Sequence, residues 1–171
     1  KGAIADYTKA IEIDPEYAAA FLGRAYSRFM LDELDEALID VDKSLEFAPE
    51  DAMAYLARGE INAALEDYKT AVIDLTTSID IDPEYSYAYS MRARVRIEID
   101  DLRGANRDAN KALDIDPDNS DAYWTLSDIK FIQSDYKEAL VEINNAIDIS
   151  SNENSYMYSD RASIKSLLED Y

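Results

Sequence analysis

Enzymatic chemistry needs side chains that move protons, attack electrophiles or hold metals. This chain of 171 residues has no histidine and no cysteine, so the commonest bases, nucleophiles and transition-metal ligands are missing. No catalytic residue, no metal site and no cofactor is expected, and the chain reads as a non-enzyme. Two sets of charged residues nevertheless recur at fixed spacing. Arg24, Arg58 and Arg92 stand 34 residues apart; Leu126 then breaks the series, and Arg161 resumes it one residue late. Asp6, Asp40, Asp74 and Asp108 keep the same 34-residue step, followed by Glu142. A row of arginines can bind anions, but it can equally pair with a row of aspartates while burying its aliphatic stems. The one interval that loses arginine, at Leu126, also loses aspartate, at Glu142. That joint change favours pairing within an interval, such as Arg24 with Asp40, with Asp6 and Arg24 as the alternative pair. The segment Asp116-Pro117-Asp118-Asn119-Ser120-Asp121 has the carboxylates of a calcium loop. It lacks the glycine at the sixth place, and Ser127 stands where a bidentate glutamate belongs, so a turn explains it better.

The elements behind these rows follow from the prolines. Pro15, Pro49, Pro83 and Pro117 are the only four in the chain, each 34 residues from the next. A fixed period of this size marks a repeat array. Between prolines lie two amphipathic segments of about a dozen residues with apolar side chains at three- and four-residue spacing, which reads as two helices and a turn. Proline ends one helix, because it cannot donate to the ladder and disfavours helical geometry in the residue before it. With each proline set at position 32, position 8 holds Ala25, Gly59, Ala93 and Ser127. Position 20 holds Ala3, Ala37, Ala71, Ala105 and Ala139, and position 27 holds Ala10, Ser44, Ser78, Ala112 and Ala146. Small side chains at three fixed places mark where two helices approach closely. Larger ones fill the space between, as at position 4 with Phe21, Tyr55, Tyr89 and Tyr123.

The array is expected to be cut at both ends and to belong to a longer protein. Residues 1–15 read as a second helix, 16–49, 50–83, 84–117 and 118–151 as full repeats, and 152–171 as a first helix. Ten helices are expected in a single array over 1–171. In the third repeat, Asn106 and Ala109 stand where the other second helices carry larger apolar residues, so this helix is expected to be the least protected of the four.

The charge balance bounds the partner. With 37 acidic and 17 basic side chains the net charge is −20. Phosphate recognition needs a basic face, so nucleic acid is not expected. No apolar run is long enough for membrane insertion. The chain is expected to be soluble, cytoplasmic by default, with a partner of basic character.

These features together resemble the tetratricopeptide repeat family over essentially the whole chain. The resemblance implies an all-α solenoid of antiparallel helix-turn-helix repeats wound into a right-handed superhelix. It departs at position 11, where the family favours tyrosine and this chain has Arg28, Asn62, Arg96 and Lys130. That departure suggests a slightly rotated first helix. The resemblance also implies that first helices line a concave groove that binds a peptide or protein segment. Carried over, the groove residues are Leu22, Tyr26, Met30, Met53, Leu56, Tyr87, Met91, Arg94, Trp124, Asp128 and Phe131. Trp124 is expected to be groove-exposed. Some family members grip a terminal carboxylate with basic and amide side chains at five groove positions. The first such set here is Leu22, Tyr26, Ala57, Tyr87 and Met91, so no carboxylate clamp is expected. A ligand with apolar anchors and some basic residues suits the row. Two alternatives to an interaction scaffold stand beside it. One is a structural spacer forming a homo-oligomer through its open ends; the other is the regulatory arm of an enzyme lying outside these residues.

Overall fold

The computed structural model describes residues 2–150 and 154–169. They form ten α-helices and, among the described residues, no strand. These are α1 (Gly2–Ile13), α2 (Ala18–Phe29), α3 (Leu34–Phe47), α4 (Ala52–Ala64), α5 (Tyr68–Ile81), α6 (Ser86–Glu98), α7 (Leu102–Ile115), α8 (Ser120–Ile132), α9 (Tyr136–Ile149) and α10 (Ser155–Glu169). The expected all-α repeat architecture is what the chain adopts.

Local chemistry sets the helix ends. Before each of three prolines the chain leaves helical geometry, with ψ of 75° at Ala48, 91° at Asp82 and 98° at Asp116. Aspartate and asparagine then satisfy the free N–H groups of the next helix. Asp51 accepts from Met53 and Ala54, Asp67 from Thr70, Asp101 from Gly104, Asn119 from Ala122 and Asp135 from Glu138. The turn inside each full repeat uses one residue in left-handed geometry: Asp32 (φ 62°), Glu66 (63°), Asp100 (62°) and Ser134 (63°). No glycine fills this place, although a β-carbon there costs about 1–2 kcal/mol. The turn tolerates it because following N–H groups close onto the helix end, Glu33 onto the Arg28 carbonyl at 3.0 Å and Asp67 onto Asn62 at 2.9 Å.

The chain forms two compact units, Lys1–Pro83 and Glu84–Tyr171. In the first, α2 packs on α3 and α4 on α5 as antiparallel pairs. Ala25, Ala37 and Ala54 are fully buried at the crossing, with Val41, Leu45 and Ile61 filling the space between. The small residues are required by distance. A β-carbon on Gly59 would lie 2.8 Å from Leu75 Cγ. Ser44 and Ser78, both fully buried, donate to the carbonyls of Ala18 (3.0 Å) and Ala52 (2.8 Å), tying each second helix to the start of its first. In the second unit α6 pairs with α7 and α8 with α9, and α10 packs on α9. Its cores are built around Ala93, Ala105, Leu126 and Ile129, and around Ala139, Ile143, Met157 and Ile164. In α7 the buried residues are small, with Gly104, Ala105, Ala109 and Ala112 beside Asp108, while Asn106 lies exposed and hydrogen-bonds Asn110 at 2.9 Å.

Candidate functional site

The arginine and aspartate rows meet within hairpins. Arg24 donates to both oxygens of Asp40 at 2.8 and 2.7 Å, Arg58 to Asp74 at 3.1 and 2.7 Å, and Arg92 to Asp108 at 2.7 and 2.8 Å. Each is a fork-on-carboxylate bond, sixteen residues apart in sequence. Each guanidinium also lies over the position-4 ring of its own helix: 5.6 Å from Phe21, 5.3 Å from Tyr55 and 5.6 Å from Tyr89. The hydrogen bond to its aspartate raises the affinity of Arg24 and of Arg58 for their protons, against the opposing effect of burial. With both carboxylate oxygens and most guanidinium donors engaged, this row is a structural device rather than an anion site.

The position-11 residues complete it. Arg28 donates to Asp40 at 2.7 Å, Asn62 to Asp74 at 2.9 Å and Arg96 to Asp108 at 2.8 Å. The departure from tyrosine that suggested a rotated helix thus has a direct use: a second donor for a buried carboxylate. Sequence reasoning missed it, although the signal was present. The polar residue at 11 accompanies aspartate at 23 in three repeats, and Lys130 accompanies Glu142 in the fourth.

The groove residues divide by unit. In the first unit Tyr26, Met30 and Met53 are open, at 54%, 68% and 59% exposure. Tyr26 and Met30 lie one turn apart along α2 and its C-cap, and the helix of Met53, α4, packs beside α2. Leu22 is half-buried against the core. Leu56 must be withdrawn from the set. It is 6% exposed and belongs to the core, so it has no surface to offer a ligand.

In the second unit Tyr87 and Phe131 are exposed, Met91 is half-buried, and Phe131 meets Tyr136 edge-on at 5.6 Å. Arg94, Trp124 and Asp128 come together. The Arg94 guanidinium lies 5.2 Å from the centre of the Trp124 ring. The Trp124 indole N–H donates to Asp160 Oδ2 at 2.8 Å. The tryptophan expected to stand open is therefore half-buried, packed on the α9–α10 core and held between a cation and a carboxylate. Burial first, and the Asp160 charge second, push the Asp128 carboxyl up to about 7. Asp160 was the partner that sequence reasoning did not connect to Trp124, since 36 residues separate them.

No group of three or more histidine, cysteine, aspartate or glutamate side chains is placed to hold a metal among the described residues. In the segment that suggested a calcium loop, the Asp116 carboxylate accepts from Asp118 N at 3.1 Å, and the Asn119 amide donates to Ser86 Oγ at 2.7 Å while its carbonyl caps α8. Those side chains are engaged in building the turn. No described helix is long and apolar enough to cross a membrane.

Antiparallel helix pairs at a 34-residue period, with small residues at the crossings, define a helical-repeat protein. The sequence matches the tetratricopeptide repeat over residues 1–52 and 90–154, and a second form of the same repeat over residues 52–85. The chain belongs to the tetratricopeptide repeat family, whose fold serves protein–protein interaction. No curated protein matches it in sequence. Among solved structures it is similar to MamA, at 20% identity over 85% of each chain with a TM-score of 0.73. It is similar also to YrrB, described as a tetratricopeptide repeat protein with an unusual peptide-binding site. That match has 21% identity over 95% of this chain and 84% of the other, with a TM-score of 0.69. A thermophilic repeat protein of Thermus thermophilus matches at 17% identity, over 94% of this chain and 88% of its own, with a TM-score of 0.82. At these identities the likeness is one of fold.

Proposed function

We propose that this chain is a non-catalytic binding module that holds a segment of a partner protein on the first-helix face of its first unit. The observation that carries the reading is the open trio Tyr26, Met30 and Met53, on α2, its C-cap and α4. Large apolar side chains left more than half exposed on neighbouring helices are what an interaction surface uses. Methionine adapts its shape to different partners, and tyrosine adds a rigid ring with a polar tip. The partner segment presents apolar anchors, and basic residues to suit a net charge of −20. The peptide-binding site described for YrrB lends this reading support from a protein of the same fold.

The test is a paired capture with the native chain and a Tyr26→Ser/Met53→Ser variant, followed by titration of the retained protein. Both side chains are exposed, so the variant keeps its fold. Loss of about 1–2 kcal/mol per hot-spot residue, roughly tenfold in Kd, is expected. Equal affinity for both baits removes the face from consideration.

A further inference from the structure

We propose that this chain assembles head to tail, α10 of one copy seating on α1 of a second copy as the two helices of a repeat, with Arg161 and Lys165 of the first closing on Asp6 of the second.

The three charged hairpins set the pattern. In each, the first helix supplies two donors four residues apart and the second helix supplies one aspartate: Arg24 and Arg28 to Asp40, Arg58 and Asn62 to Asp74, Arg92 and Arg96 to Asp108. α10 carries the donor half of this device. Arg161 lies over the Tyr158 ring at 5.0 Å, as Arg24 lies over Phe21. Lys165 follows four residues on, in the place of Arg28, and is exposed. Among the described residues neither cation meets a carboxylate; Arg161 donates instead to the neutral Asn144 Oδ1 at 3.1 Å. α1 carries the acceptor half. Asp6 stands in the row of Asp40, Asp74 and Asp108, yet it is exposed and, among the described residues, no side chain donates to it.

The packing residues divide the same way. Ala37, Ala71 and Ala105, each three residues before a paired aspartate, are fully buried, and so are Ala25 and Ala93, which follow Arg24 and Arg92. Their counterparts, Ala3 on α1 and Ala162 on α10, are both exposed. In the hairpin α2–α3 the Phe21 ring packs on Phe47 at 5.9 Å. The corresponding residues are Tyr158 on α10, 44% exposed, and Ile13 on α1, 75% exposed. α1 is packed by α2 and α10 by α9, and each is open where the other helix of a hairpin lies in the full repeats.

Two cations, a small crossing residue and a ring on α10 thus complement one carboxylate, a small crossing residue and an aliphatic side chain on α1, and every copy carries both faces. The charges fix the register, because covering Asp6 without its donors buries an unpaired carboxylate. The two faces differ, so the contact is heterologous: each junction leaves one face of each kind open, and growth continues unless a ring closes. Copies repel one another through a net charge of −20, a long-range effect that salt screens more than it screens a buried pair.

The experiment is sedimentation of the 171-residue chain at physiological ionic strength, from micromolar to millimolar concentration, with circular dichroism on every variant. The native mass is expected to rise with concentration. Asp6→Arg reverses an exposed charge and Ala162→Phe fills an exposed crossing position, so both keep the fold. Each is expected to weaken association about thirtyfold or more. Asp6→Arg/Arg161→Asp exchanges the charges and is expected to regain association. Tyr26→Ser/Met53→Ser is expected to associate like the native chain, which separates this contact from the partner-binding face of the first unit. A native chain that stays monomeric throughout overturns the proposal, as does undiminished association in Asp6→Arg or in Ala162→Phe. No recovery in the charge exchange, or loss of association in Tyr26→Ser/Met53→Ser, overturns it equally.

Discussion

The hairpin α2–α3 and the hairpin α8–α9 solve the same packing problem in opposite ways. In the first, Arg24 and Arg28 converge on Asp40, whose side chain is 2% exposed. In the second, the arginine position is Leu126, itself buried, and the aspartate position is Glu142, half-buried and hydrogen-bonded only weakly to Asn145 at 3.4 Å. The fork-on-carboxylate bond is absent from the second, yet both hairpins form. The contrast teaches that the ion pair is not what makes the helices associate. The small residues at the crossing do that, as Ala25 and Ala37 in one hairpin and Ser127 and Ala139 in the other. Ser127 even donates to the Ala139 carbonyl at 3.0 Å, a neutral tie between the two helices. What the charged version adds is conditional. A buried carboxylate is tolerated only while its donors remain, and an apolar substitute for the pair is often neutral.

The largest test of that contrast removes the carboxylate from the charged hairpin. Asp40→Ala leaves two guanidiniums facing a space without an acceptor and is expected to destabilise by roughly 3–5 kcal/mol in urea unfolding. A cost below about 1 kcal/mol breaks the comparison, since it equates the two hairpins. Arg24→Leu, which copies Leu126, is expected to cost less. Arg28 still neutralises Asp40, and the loss is that of a charged hydrogen bond, roughly 1.5–3 kcal/mol. If Arg24→Leu costs as much as Asp40→Ala, the second donor contributes nothing and the account of position 11 falls.

The smallest effect lies in the uncharged hairpin. Burial, with a like charge at Glu138, holds the Glu142 carboxyl above its ordinary value. Its contribution is present below the unfolded pKa and is lost as pH rises through the folded one. Glu142→Gln is therefore expected to leave stability within about 0.5 kcal/mol of the native chain. The small difference should favour the variant at neutral pH and vanish in acid. A variant clearly less stable at neutral pH shows instead that Glu142 makes a favourable bond as an ion.

Much of the fold was legible in the sequence because its signals are local and repeated. A proline ends a helix wherever it falls, and a small residue is needed wherever two helices touch. The joint loss of Arg and Asp at positions 126 and 142 favoured pairing within a hairpin, and the bond of Arg24 to Asp40 is that pairing. The groove was less legible. Leu56 and Met53 belong to the same helix and the same apolar class, yet Met53 lies open and Leu56 is buried. Exposure of a residue depends on what the surrounding helices cover, which periodicity does not encode. The left-handed turn residues were also hidden, because Asp32, Glu66, Asp100 and Ser134 share no residue type that announces positive φ.

The sequence by itself determined the repeat length, the helix pairs, the crossing points and the acidic character of the chain. These follow from backbone rules and from counts, which need no knowledge of distant neighbours. Only the tertiary structure decided which long side chains meet. Arg28 and Arg96 reach across to a carboxylate already bound by another arginine, and the Trp124 indole donates to Asp160 on a different helix. Flexible side chains have several rotamers and several partners within reach. The choice among them is made by packing and by the cost of leaving a buried charge alone.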